Sequence, residues 1–192
     1  SGTLDVDSLT IQGTATNNGT IDSTTITVYQ GSNFTHNASS TSSLTGSVEV
    51  YGKLDISGGN EYRQNIEIEI HDGGEMSASG NYSIVSNGEL TVSGDLNITG
   101  GTFDAGNHLT VSNGEVNISG NAEVDVDNIP SGKISVNNAT LKVKGAEMIG
   151  PHSLDGDAVI TDGGKTITVD SGTVKGPRGA NNAYTVGSGE KL

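Results

Sequence analysis

The stretch GEVNISG, residues 114–120, decides how this chain is read. Val116 and Ile118 are apolar, and Asn117 and Ser119 between and after them are polar. Successive side chains of a strand point to opposite faces, so this alternation is that of a half-buried β-strand with Val116 and Ile118 inward. A glycine stands at each end, where the chain has to turn.

The same phrase returns. GKLDISG begins at Gly52, GEMSASG at Gly74 and GELTVSG at Gly88, with degenerate copies ATLKVKG at Ala139 and GKTITVDSG at Gly164. Recurrence at a fixed period is the mark of a repeat architecture. From Leu90 onward three sets of apolar markers share one beat of about 25 residues, in the range of solenoid repeats. They are Leu90, Val116, Leu141 and Ile167; Phe103, Ile129 and Leu154; and Leu109, Ile134 and Val159. Between them lie further alternating segments (VDVD, LKVK, IEIEI, ITVY) and turn signals (SGG, DGG, SNG, PSG).

A stack of coils accounts for this. Each coil lays its strands on those of the coil below, ~4.8 Å away, so equivalent inward residues form rows. The expected fold is therefore all-β: a right-handed parallel β-helix, or β-solenoid, with coils of about 25 residues. The hand follows from the usual sense of parallel crossovers. The alternative is an antiparallel β-sandwich, since Asn-Gly and Asp-Gly between strands also mark hairpins. The chain reads as one domain over residues 1–192, irregular over about 1–47 and 58–87 and regular over 88–175. Neither end shows an amphipathic capping helix. LDVDSLTIQG and AYTVGSG read as ordinary strands, and the first residues are already patterned, as in a processed chain.

Composition agrees. Glycine is 29 of 192 residues, about twice the ~7% of an average protein, and helix formers are displaced by Gly, Ser, Thr and Asn. Cysteine is absent, which excludes disulfides and thiolate metal sites. No apolar run of ~18 residues exists, so no helical membrane span is expected. A net charge of −14 argues against nucleic acid as a partner.

The repeats and the Asn/Ser/Thr/Gly-rich, aromatic-poor composition resemble repetitive β-helical microbial surface proteins: adhesin-like passengers, surface-layer components, and archaeal sheath or filament proteins. The resemblance spans about residues 48–175. It implies an extracellular or cell-surface location and a structural or adhesive task.

Catalytic signatures are not legible. Pectate-lyase-like enzymes share the expected fold but cluster acids with a basic residue, whereas arginine occurs here only at Arg63 and Arg178. Acids such as Asp125, Asp127, Asp155 and Asp157 alternate with apolar residues as on a solvated strand face. His36, His71, His108 and His152 lie far apart in sequence, with no ligand or triad spacing. The chain is accordingly read as no enzyme, with no cofactor, although its acidic surface is compatible with loose Ca²⁺ binding. Asn-x-Ser/Thr sequons occur at Asn18, Asn33, Asn37, Asn81, Asn97, Asn117 and Asn138. Of these, Asn97 and Asn117 are expected on outward strand positions and are the preferred glycosylation candidates.

The charge is split along the chain. Residues 1–132 hold 17 acids and 2 bases, and residues 133–192 hold 6 acids and 7 bases. The cation-bearing segment, with Lys142, Lys144, Lys175 and Arg178, is expected to meet the acidic part of another copy. The functional expectation is thus a secreted, non-enzymatic structural protein whose partner is itself, assembling head-to-tail or laterally into a filament, sheath or surface layer. The alternative is an adhesin or glycan-binding module.

Overall fold

The computed structural model describes residues 2–38, 43–64, 66–84, 88–126, 132–143, 159–162, 165–175 and 183–186. These residues form eighteen strands and no helix. The first coil is β1 (Thr3–Ile11) and β2 (Thr14–Asn17); the second, β3 (Thr20–Val28) and β4 (Asn33–Ala38); the third, β5 (Ser43–Val50) and β6 (Lys53–Gln64). The fourth is β7 (Glu67–Ile70) and β8 (Glu75–Ile84); the fifth, β9 (Glu89–Val92), β10 (Asp95–Thr99) and β11 (Thr102–Gly106); the sixth, β12 (Leu109–Val111), β13 (Glu115–Ser119) and β14 (Glu123–Val126). Then come β15 (Gly132–Val143), β16 (Val159–Asp162), β17 (Lys165–Lys175) and β18 (Ala183–Val186).

The strands stack into a β-solenoid. β1, β3, β5, β7, β9 and β12 form a six-stranded sheet, one strand per coil, paired in parallel throughout. We call it wall A. The second sheet bends into two walls. β6 and β8 are long enough to serve both, pairing over Lys53–Gly58 with Glu75–Gly80 and again, after a register shift between Gly58 and Tyr62, over Tyr62–Gln64 with Tyr82–Ile84. Wall B carries β2, β4, the first halves of β6 and β8, then β10, β13 and the first half of β15. Wall C carries the second halves of β6 and β8, then β11, β14 and the second half of β15. A solenoid interior forms because every wall alternates: inward residues of all three meet on the axis, and outward ones face water.

The inward rows are continuous. On wall B, Phe34, Leu54, Met76, Leu96, Val116 and Ile134 are in register, and Ile167 takes the next register position. On wall A, Ile26, Val48, Ile68, Leu90 and Leu109 are in register, as are Val28, Val50, Ile70, Val92 and Val111. On wall C, Phe103, Val124 and Leu141 follow one another, with Tyr82 at the register position before Phe103. From Phe34 to Val116 the first of these rows is at most 1% exposed, a dry and closely packed interior.

The fold class is as the sequence predicts, but the coil is shorter than expected. Paired strands step from Glu75 to Asp95 and from Asp95 to Glu115, so a coil takes about 20 residues, at the short end of solenoid repeats. The expected rows are corrected accordingly. Leu90 pairs with Ile68 and Leu109 on wall A, and Val116 pairs with Leu96 and Ile134 on wall B. Leu141 pairs with Val124 on wall C, and Ile167 pairs with Ile134. Phe103 pairs with Val124, while Ile129 and Leu154 lie outside the described residues.

The last rung departs from the pattern. The step from β15 to β17, as from Lys133 to Thr166, is longer than any before it. β16 and β18 then pair with β17 antiparallel, so among the described residues parallel stacking ends at β17. At the other end β1 and β2 each have a strand neighbour on one side among the described residues.

Candidate functional site: polar ladders, a buried histidine and an aromatic corner

Wall B presents the most ordered outward surface. Its first outward row runs Lys53, Glu75, Asp95 and Glu115, with Lys133 at the next register position. Its second runs Asp55, Ser77, Asn97, Asn117 and Ser135. Hydrogen bonds lace the two rows. Asn117 donates from Nδ2 to Asn97 Oδ1 at 3.0 Å, and Asn97 donates to Glu75 Oε1 at 2.9 Å. Ser135 donates to Glu115 Oε1 at 3.0 Å. Lys53 lies 3.6 Å from Asp55 and 3.5 Å from Glu75, and Asp55 first, then Glu75, hold its ammonium group above its usual pKa. The exposure of this cluster makes it a minor contributor to stability.

The sequons fall into two kinds. Asn18, Asn37 and Asn81 are exposed. Asn97 and Asn117 are outward but half-buried, with their amides committed to the ladder. Asn33 is half-buried. Asn37 donates to the Asn18 side chain and accepts from Ser57, a second inter-coil ladder. Asn138 is a residue of β15. Of the assembly candidates, Lys142 and Lys175 occupy paired positions of β15 and β17. Lys144 and Arg178 lie outside the described residues.

His36 occupies an inward position of wall B, in register between Asn17 and Ile56, and is fully buried. Asn17 donates to its Nδ1 at 2.9 Å, which fixes Nδ1 as the acceptor and the ring as neutral. Asn17 also holds the turn into the second coil by bonds to and from Gly19. Burial lowers the His36 pKa to about 4 from 6.5. The unfolded chain therefore binds a proton that the folded chain refuses between these values, so stability is full above pH 6.5 and falls as pH drops toward 4. The expected loss is about 3 kcal/mol over that window. Urea titrations at pH 7.5, 5.5 and 4.5 measure it, and His36→Gln should flatten the slope. An unchanged slope in that variant would assign the acid sensitivity elsewhere.

The turn from wall A to wall B builds a feature that the repeat phrases do not reveal. Residues at this corner repeat one backbone bond: the amides of Tyr29, Tyr51, His71, Ser93 and Ser112 donate to carbonyls of Ile11, Val28, Val50, Ile70 and Val92 one coil earlier. Three rings thus follow one another along the axis. Tyr29 is 48% and Tyr51 38% exposed, so both rings are open to solvent in part. Tyr51 and His71 stack with centroids 4.0 Å apart and planes 2° from parallel. Glu69 lies 3.6 Å from His71 Nδ1. Tyr51 is raised above its ordinary pKa by desolvation first, then by Glu49 and Glu69, and it hydrogen-bonds Glu49. The sequence signal lies in VYQG, VYGK and IHDG, where a ring follows an inward aliphatic residue and precedes a turn, once per coil in three successive coils.

Two cavities accompany these features. One of about 500 Å³ opens at the β1–β2 end and is lined by Leu4, Leu9, Ile11, Ala15, Ile21 and Phe34. The other, about 280 Å³, lies at the A–B corner beyond the rings and is polar, with Asp72, Asp95, Asn113 and Glu115 around it. Among the described residues no group of three or more His, Asp or Glu is placed to hold a metal ion. Comparison with protein-family models, curated proteins and solved structures finds no match to this chain.

Proposed function

We propose that this chain is a secreted, non-enzymatic structural protein that associates with copies of itself, head-to-tail or laterally, into an extracellular filament, sheath or surface layer. The observation that carries this reading is the charge split, taken together with the fold. In a stacked solenoid, sequence order is axial order. Residues 1–132, with 17 acids and 2 bases, supply the six coils from β1 to β14. Of the seven bases in residues 133–192, Lys133, Lys142, Lys165 and Lys175 all belong to the adjacent strands β15 and β17 beyond them. Such a body is self-complementary, and contacts between unlike surfaces need not close, so they propagate. The exposed sequons and the Asn, Ser and Thr ladders favour a location outside the cell.

Purified chain should form filaments or sheets in negative-stain micrographs and sediment faster as concentration rises at low salt. Lateral contacts should loosen first as salt increases, because the screening length falls from ~10 Å at 0.1 M to ~3 Å at 1 M. The variant K142E/K144E/K175E/R178E should weaken association with an unchanged circular dichroism spectrum. A chain that stays monomeric at high concentration across salt and divalent-cation conditions would sink the polymer reading and put an adhesin or glycan-binding module in its place.

A further inference from the structure

We infer that the Tyr29–Tyr51–His71 corner, with Glu49 and Glu69 beside it, is a docking site for the lysine- and arginine-bearing C-terminal segment of a second copy. The inference rests on the self-association proposed above and names its lateral surface. The corner combines the two groups that recognise an organic cation. Aromatic faces attract ammonium and guanidinium groups, guanidinium especially. Carboxylates beside them add charge and accept the cation's hydrogen bonds. Tyr29 and Tyr51 supply exposed rings, and Glu49 and Glu69 stand against Tyr51 and His71.

Charge selects the occupant. The chain has no lysine or arginine before Lys53, and Lys53 itself is engaged by Asp55 and Glu75 on wall B. The corner therefore lies within an acidic stretch whose matching cations are concentrated in residues 133–192. Spacing agrees as well. Lys142 and Lys175 hold paired positions on adjacent strands, one strand spacing apart, and Tyr29 and Tyr51 repeat at the same spacing along the stack. A neutral saccharide is a poorer fit. The groups flanking the rings are carboxylates, whose charge rewards a cation and gains nothing comparable from a neutral ligand.

Two synthetic peptides, ATLKVKG (residues 139–145) and GTVKGPRG (residues 172–179), test this directly. Each should bind the full chain saturably, followed by amide and aromatic NMR shifts at Tyr29, Tyr51 and His71. Y29S/Y51S and E49Q/E69Q should each weaken binding about tenfold, by loss of ring and carboxylate respectively. Tyr29 and Tyr51 are exposed and Glu49 and Glu69 are half-buried, none of them in the apolar interior, so circular dichroism melts should stay close to the parent. Peptides with glutamine for lysine and arginine should not bind. The same variants should reduce lateral association in sedimentation at low salt. Shifts confined to other walls, or a neutral oligosaccharide binding this corner where the peptides do not, would overturn the inference. Filaments that form equally well from Y29S/Y51S would overturn the corner as the lateral contact and leave self-association standing. Corner-dependent peptide binding by a chain that never self-associates would remove the second copy as occupant and fell the polymer reading with it.

Discussion

Val116→Asp should unfold the middle of the stack. Val116 is 1% exposed and sits in register between Leu96 and Ile134, both also buried. No cation shares this interior row, so a carboxylate there has neither water nor partner. An uncompensated buried charge costs about 3–5 kcal/mol, a large fraction of the net stability of a domain. A solenoid coil contacts its neighbours alone, so the damage should be local first, separating the coils before β13 from those after it. Urea unfolding followed by circular dichroism should show a lower midpoint, and hydrogen exchange should quicken first in β10, β13 and β15. Asn117→Asp is the control. It changes the neighbouring outward residue, loses the bond to Asn97 Oδ1, and should cost about 1 kcal/mol. Equal effects of the two substitutions would mean that the inward and outward sides of this strand have been exchanged.

The contrast between these neighbours marks what the sequence makes legible. Alternation is written residue by residue, so the strands, their inward sides and the turns between them can be read directly. Coil length is harder, because every wall makes the same demand. GELTVSG at Gly88 contains strand β9 of wall A, whereas GEVNISG at Gly114 contains strand β13 of wall B. Leu90 to Val116 is thus not one coil. It is a short step from Leu90 to Leu96, one wall onward, followed by the true coil from Leu96 to Val116. The longer beat arises because resemblance between phrases reports a type of wall position and not a particular wall. The phrase that restores the true period is GDLNITG at Gly94, which falls midway between GEMSASG at Gly74 and GEVNISG at Gly114.

The surface features are legible to differing degrees. That Asn97 and Asn117 point outward follows from their apolar neighbours. That their amides are tied to each other and to Glu75 depends on register, which the longer coil misplaces. The aromatic corner is hidden for the same reason. Tyr29, Tyr51 and His71 follow one another at one true coil each, so too long a beat scatters what the fold brings together. The wide sequence spacing of the histidines gives no sign that His36 is buried, yet it follows Phe34 at the strand period of two and is inward with it.

Gly94→Ala should be nearly as damaging as the buried charge, although it adds a single methyl group. The glycine that opens each of these wall B strands lies under the backbone of the coil before. A Cβ at Gly74 would run into the carbonyl oxygen of Val50, one at Gly94 into that of Gly74, and one at Gly114 into that of Gly94. The obstacle is backbone in each case, so no side chain can move aside. It is also backbone already in use: Gly74 O accepts from Asp95 N at 3.0 Å, and Gly94 O accepts from Glu115 N at 3.1 Å. Room for the methyl group comes only from lifting one coil off another at this corner, which weakens those bonds and shifts the rows beneath. Overpacking of this sort costs about 3 kcal/mol where the surroundings cannot yield. Gly73→Ala separates this close approach from a demand for special dihedrals. Gly73 has φ of 77° but nothing within 4 Å of its would-be Cβ, so its substitution should cost only about 1 kcal/mol of left-handed backbone strain. Chemical denaturation of the two variants should therefore rank Gly94→Ala well below Gly73→Ala. The reverse order would mean that the corner is set by turn conformation and that the coils are not held at contact distance by their glycines.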